Sequence, residues 1–265
     1  MGRDLDFALE LADLADSISA PRFRARDLAV DTKPDLSPVT DADRAVERAL
    51  RERIGATRPG EPVFGEEEGG AVDGPVRWIV DPIDGTKNFS RGIPIWGTLI
   101  ALERDGEVVL GVASAPGLRR RWWAERGAGA FADGQPIRVS GVGRMEDAVF
   151  SFTRTSVFSE RAPALDLVRR AWHARTFSDC WQHLLVAEGS VDAAIDDVMN
   201  PWDIAALRVI VEEAGGRSTD FGGGRALDGG SLVSSNGVLH DEVLAALTAR
   251  GQAPGHGRAS RAPRV

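Results

Sequence analysis

The segment Trp78-Ile79-Val80-Asp81-Pro82-Ile83-Asp84-Gly85-Thr86 constrains this chain more than any other. An apolar strand over 76–80 delivers two aspartates at its carboxyl end, three residues apart. Pro82 stiffens the connection. Gly85 permits an unusual turn and a close approach of backbone to a ligand. Thr86 to Phe89 can open a helical turn whose free amides point at an anion. Carboxylates beside free amides make sense as a phosphate site once divalent cations neutralise the acids. Asp-Pro and Asp-Gly are also ordinary turn formers, so alone the pair proves nothing.

Two further acidic groups complete a set. Gly65-Glu66-Glu67-Glu68-Gly69 precedes the strand, and Pro201-Trp202-Asp203 opens a later helix. Singly, the first reads as a solvated acidic loop and the second as a helix cap. All of them together, in this order, are specific.

The surroundings read as alternating elements. A helix over 4–20 carries Leu5, Ala8, Leu11, Ala15 and Ile18 on one face. Residues 31–39, with Pro34 and Pro38, read as an extended loop. Thr40 or Asp41 caps a second helix with Ala42, Ala45, Val46, Ala49, Leu50 and Ile54 inward, closed by Gly55 and Pro59. Strands over 95–102 and 107–115 flank the turn signal Arg104-Asp105-Gly106, and 121–125 and 131–139 continue the antiparallel pattern. The second half alternates: strand 148–153, helix 162–172, helix 180–188, strand 191–195, helix 202–214, strand 231–235 and helix 239–250. This predicts an α/β chain, with an α+β lobe over 1–143, an α/β lobe over 144–250 and a disordered tail over 251–265.

Composition narrows the function. The chain has 265 residues and 43% hydrophobic content, enough for a sizeable core. A net charge of −8 argues against a general nucleic-acid or anionic-membrane surface. Cys180 is the only cysteine, so no internal disulfide forms, which fits a reducing, cytoplasmic location. Acidic residues interrupt 1–20, so no secretory signal is expected, and no apolar run is long enough to span a membrane. Only Lys33 and Lys87 among 32 basic residues are lysines, and both fall near the motifs.

Gly65-Glu66-Glu67, Trp78 to Phe89, and Trp202-Asp203 through Glu213-Ala214-Gly215-Gly216 resemble the inositol-monophosphatase-like superfamily over nearly the whole chain. The resemblance implies a layered α/β/α/β/α sandwich, a homodimer and two or three Mg²⁺ ions, with Mn²⁺ as a possible substitute. It implies Glu66, Asp81, the Ile83 carbonyl, Asp84 and Asp203 as metal ligands. It also implies Gly85 and Thr86 as phosphate-holding amides, with Asp84 and Asp203 at the substrate. Val39-Thr40-Asp41-Ala42-Asp43 matches the family segment whose last aspartate pairs with the motif threonine. The Asp43–Thr86 pair and Glu66 would therefore be catalytic, orienting a metal-activated water for in-line attack with no phosphoenzyme.

The ester is set by other residues. Counting back from Asp203 places Asp196 where inositol phosphatases carry a glutamate, and Asp179 where they carry a small neutral residue. Extra carboxylates suit a cationic leaving group. Asp31 to Asp43, Arg120-Arg121-Trp122-Trp123 and Leu185-Val186-Ala187-Glu188-Gly189 also resemble the histidinol-phosphate phosphatases of the superfamily. The resemblance implies a small-molecule phosphate ester, histidinol phosphate; the added negative charge of Asp179 and Asp196 suits its ammonium and imidazole, with Arg175 expected nearby. Asp179 reads equally as a cap before the helix at Cys180, Arg175 as a solvated strand-edge residue, and Asp196 as loop polarity. Inositol-1-phosphate hydrolysis is the main alternative, and a regulatory RNA- or protein-binding role for the arginine-containing tail is another. A P-loop, a Gly-x-Ser-x-Gly elbow and zinc-ligand histidine spacing are all missing.

Overall fold

A computed structural model describes residues 2–70, 74–161 and 163–249. The tail 251–265 and the expected helix ends at residues 162 and 250 lie outside them. In chain order the elements are α1 (Arg3–Arg22), β1 (Val30–Thr32), β2 (Pro38–Thr40), α2 (Asp41–Thr57), β3 (Val63–Gly65), β4 (Val76–Asp84), α3 (Thr86–Ser90), β5 (Gly97–Arg104), β6 (Glu107–Ala115), β7 (Arg120–Glu125), β8 (Gly129–Ala132) and β9 (Gln135–Ile137). A 3₁₀ turn at Met145–Asp147 leads to β10 (Val149–Phe152), α4 (Val157–Glu160), α5 (Ala164–Arg170), β11 (His173–Arg175), α6 (Asp179–Ala187), β12 (Ala193–Asp196), α7 (Pro201–Glu213), β13 (Arg217–Thr219), β14 (Leu232–Ser235) and α8 (His240–Thr248).

Strand alternation builds the layers. Trp78, Val80, Ile100 and Leu102 face α1 and α2, while Ile79, Leu99 and Ala101 face α6 and α7. Both faces are apolar, so the seven-stranded sheet β3-β4-β5-β6-β7-β8-β9 is covered on both sides. Beyond α6 and α7 lies a five-stranded mixed sheet, β11-β10-β12-β14-β13. Its far face packs Phe150, Ile195 and Val233 against Leu167 of α5 and Val243 and Leu247 of α8. The stack is α/β/α/β/α, as the resemblance implied.

Several elements differ from the sequence reading. The extended loop over 31–39 is a hairpin: β1 pairs antiparallel with β2, Val30 opposite Thr40, around a turn with Leu36 at φ 70°. Two prolines hide this pairing, because Pro38 only begins its strand. Strand β4 does not stop at Val80 but runs on to Asp84, with a register shift between Asp81 and Asp84 where Pro82 has no amide to donate. The 131–139 strand is split by a turn at Asp133-Gly134. Helix α2 continues through Gly55 to Thr57. The edge strands β3, β11 and β13 have three residues each, too few for a periodic signal.

Helix α7 carries Asp203 and lies across β6 at Gly111. A Cβ there would stand 2.7 Å from the Ala206 carbonyl and 2.8 Å from its Cα. Backbone that close cannot yield cheaply, so Gly111 sets how near the helix approaches. Gly111→Ala should cost about 1–3 kcal/mol in urea unfolding. Through the displaced Asp203 it should also lower kcat/KM by roughly 10–100-fold. Unchanged stability would show that the helix does not rest on this contact.

A buried polar seam joins α6 to the second sheet. The Nδ1 of His183 lies 2.9 Å from Ser234 Oγ, and burial pushes the imidazole down to about 3 from 6.5. The unfolded chain therefore binds a proton that the fold rejects. The stabilising preference for neutral imidazole is present above pH 6.5 and is lost as pH falls toward 3. Between pH 6.5 and about 4, wild type should lose about 3 kcal/mol relative to His183→Gln. Parallel unfolding curves for the two proteins would contradict this.

Candidate active site

Four local devices bring the acidic groups together. The first is the end of β4. Asp81 is 2% exposed, and its Oδ1 has no hydrogen-bond partner. The second is Gly85, at φ +83°, where a Cβ would meet the Ile95 carbonyl at 3.1 Å and Asp179 Oδ2 at 3.5 Å. Only glycine takes this left-handed turn without strain while the chain passes so near a neighbouring carboxylate. It starts α3, whose first amides have no partner within the helix.

The third device is the capping box, used twice. Asn200 opens α7 and its amide donates to Asp203 Oδ2 at 2.7 Å. Thr40 opens α2 and its amide donates to Asp43 Oδ2 at 2.8 Å. Each aspartate is thus fixed by the start of its own helix. Asp203 is a capping residue and a member of the acidic cluster at once, so the two readings of it are not exclusive. The fourth device is Glu47, buried on α2, which accepts the Glu67 and Glu68 amides at 2.7 and 3.0 Å and shapes the Glu66 loop.

Oxygen atoms of Asp81, Asp84 and Asp203 lie within 4.8 Å of one another. Burial first, then the charges of Glu66, Asp84 and Asp203, hold the Asp81 carboxyl well above the usual range. Burial, then the charges of Asp179 and Asp203, does the same to Asp84. Asp203 is pushed up to about 7, mainly by burial. Among the described residues, no lysine or arginine pairs with any of these three. An orphaned oxygen, crowded like charges and an all-oxygen donor set together fit a hard divalent cation.

The other expected residues fall around this cluster. Glu66 lies close enough to raise the pKa of Asp81, but its side chain is held by Lys33 Nζ at 2.7 Å. Glu67 takes a second 2.7 Å bond from the same ammonium, which is delivered by the β1–β2 hairpin. Thr86 Oγ1 lies 3.0 Å from Asp43 Oδ1 and 2.9 Å from the Ile83 carbonyl, so Asp43, Ile83 and Thr86 meet.

Asp179 touches the same region. Its Oδ2 accepts from Asn88 Nδ2 and Ser178 Oγ, both at 2.7 Å. It makes no cap bond to α6; instead Asp84 Oδ2 accepts the Cys180 amide at 2.6 Å. Ser178 and Asp179 both have positive φ, 70° and 48°, a conformation non-glycine residues hold only under constraint. Asp196 is buried at the end of β12, and burial pushes it up to about 6. Arg154 exerts a favourable field on both Asp179 and Asp196. Arg175 is not brought to them: it is exposed on β11, and its guanidinium donates to the Ala174 carbonyl.

Sequence reasoning missed Asn88, Glu47, Arg154 and the Lys33 clamp. Glu47 had a signal, a carboxylate on the face that carries Val46, Leu50 and Ile54 inward. Asn88 and Arg154 had none, because their neighbours are distant in sequence.

The chain is similar to known proteins over most of its length. The model of the inositol monophosphatase family matches residues 3–252. A histidinol-phosphatase of Mycobacterium tuberculosis is 52% identical over 93% of this chain and 98% of its own length. One of Streptomyces coelicolor is 44% identical over 93% of this chain and 97% of its own. The solved Thermotoga maritima IMPase superposes with a TM-score of 0.85 at 35% identity, covering 93% of this chain and 97% of that one. An IMPase/NADP phosphatase solved with Mg²⁺ and phosphate gives 0.83 at 25% identity, covering 94% and 95%. The chain belongs to the inositol monophosphatase family.

Proposed function

We propose that this chain is a magnesium-dependent phosphomonoesterase acting on histidinol phosphate in histidine biosynthesis. The observation that carries the substrate assignment is the pair Asp179 and Asp196. They add two carboxylates beside a cluster that is already acidic, and a leaving group with an ammonium and an imidazole matches them. The two histidinol-phosphatases, alike over almost their full lengths, support the same substrate.

Asp81, Asp84, Asp203, Glu66 and the Ile83 carbonyl would hold two or three Mg²⁺ ions, with Mn²⁺ as a substitute. Bound there, such ions lower the pKa of water and offset charge on the phosphoryl and leaving oxygens. The chain's own groups do the rest. When Thr86 Oγ1 donates to Asp43, its lone pairs accept a proton of the attacking water and orient it. The amides of Gly85 and Thr86 hold phosphate oxygens. Glu66 exchanges Lys33 for the cation. Asp179, positioned by Asn88, receives the substrate ammonium. A cytoplasmic homodimer belongs to this reading.

Phosphate release from histidinol phosphate tests the reading. Release should stop with a chelator and return with Mg²⁺. Release that continues at full rate without divalent ions would overturn it.

A further inference from the structure

A cavity of about 580 Å³ opens between the β3–β4 edge of the large sheet and the 225–228 loop. Asp81, Asp84 and Asp203 do not line it. Its walls include Phe64, Leu227 and the arginines Arg77, Arg126, Arg208 and Arg225. The acidic residues Glu103, Glu107 and Asp228 line it too. Three of these cations are paired: Arg77 with Glu103, Arg126 with Glu212 and Glu213, and Arg225 with Glu212.

Arg208 differs. It projects from the otherwise apolar run Ile204–Val211 of α7 and is 5% exposed. Its terminal nitrogens donate to the Arg225 and Ala226 carbonyls, and its buried Nε has no partner. Among the described residues it forms no ion pair. Burial pushes its guanidinium down, against the opposing charges of Glu212 and Asp220 and with the like charges of Arg225 and Arg126. A buried guanidinium with no carboxylate in direct contact is unfavourable, and a hydrophobic residue would fill a helix core better. We propose that this cavity is a second oxyanion site, in which a small carboxylate or tetrahedral oxyanion with a short apolar body neutralises Arg208. The guanidinium fork recognises either anion geometry, Phe64 and Leu227 supply the apolar wall, and the volume suits a small metabolite.

Thermal unfolding of the Mg²⁺-loaded protein tests this, with succinate and sulfate titrated separately at constant ionic strength. At about 100 times Kd, at least one anion should raise Tm saturably by roughly 5–10 °C. A stronger response to succinate assigns a carboxylate, and a stronger response to sulfate a tetrahedral anion. The shift should vanish in Arg208→Met and shrink in Arg225→Gln, whose exposed side chain folding does not need. No saturable shift with either anion would overturn the proposal. So would a shift that persists in Arg208→Met, which would put the anion at the catalytic centre. Should Arg208→Met fail to fold, an undiminished shift in Arg225→Gln overturns it.

Discussion

Asp81→Asn should lower kcat by about 10³-fold or more and, in the same protein stripped of divalent ions, raise the melting temperature. The two effects have one cause. Asp81 is buried with an unpartnered oxygen, inside a group of carboxylates whose atoms lie within 4.8 Å. Without a cation, that crowding opposes folding, because like charges repel strongly where water is scarce. Asparagine keeps the shape and removes one charge, so the cation-free fold gains. With a cation, the same substitution deletes a ligand, and metal assistance worth several kcal/mol in the transition state weakens. Differential scanning calorimetry with and without chelator, beside steady-state kinetics, reads both. A variant that loses activity and also loses cation-free stability would mean that Asp81 is held for structural reasons alone.

Asp179→Ala should raise KM for histidinol phosphate by about 10–100-fold while leaving inositol-1-phosphate hydrolysis little changed. A charge-assisted contact contributes about 1.5–3 kcal/mol. The alternative role as a helix cap is not what the structure shows, since Asp84 takes the Cys180 amide and Asp179 faces Asn88. Alanine at φ 48° is strained, so Asp179→Asn is the companion variant. It keeps the hydrogen-bonding shape and should show most of the KM effect. Equal losses on both substrates would assign Asp179 to general site architecture.

What the sequence revealed follows the range of each interaction. The helices α1, α2 and α7, and the strands β4 to β7, carry periodic apolar faces, and these were legible. So were Asp81, Asp84 and Asp203, because each sits where a local motif (strand end, tight turn or capping box) fixes it within a few residues. The β1–β2 hairpin was not, since its pairing is hidden by prolines, and its outcome, Lys33 reaching Glu66, spans two distant segments. The run of β4 through Pro82 depends on pairing with β5, which pattern alone does not report. Asn88 meets Asp179 across a long sequence separation, and no spacing announces it. Arg175 was expected near Asp179 and Asp196, yet β11 leaves it exposed at the edge of the sheet.

The most direct test of the account is the ratio of kcat/KM for histidinol phosphate to that for inositol-1-phosphate, measured on wild-type protein with Mg²⁺. A pocket built with extra carboxylates for a cationic leaving group should favour histidinol phosphate by about 100-fold or more. A ratio near one, or a preference for the polyol phosphate, would contradict the role given to Asp179 and Asp196 and with it the assigned substrate.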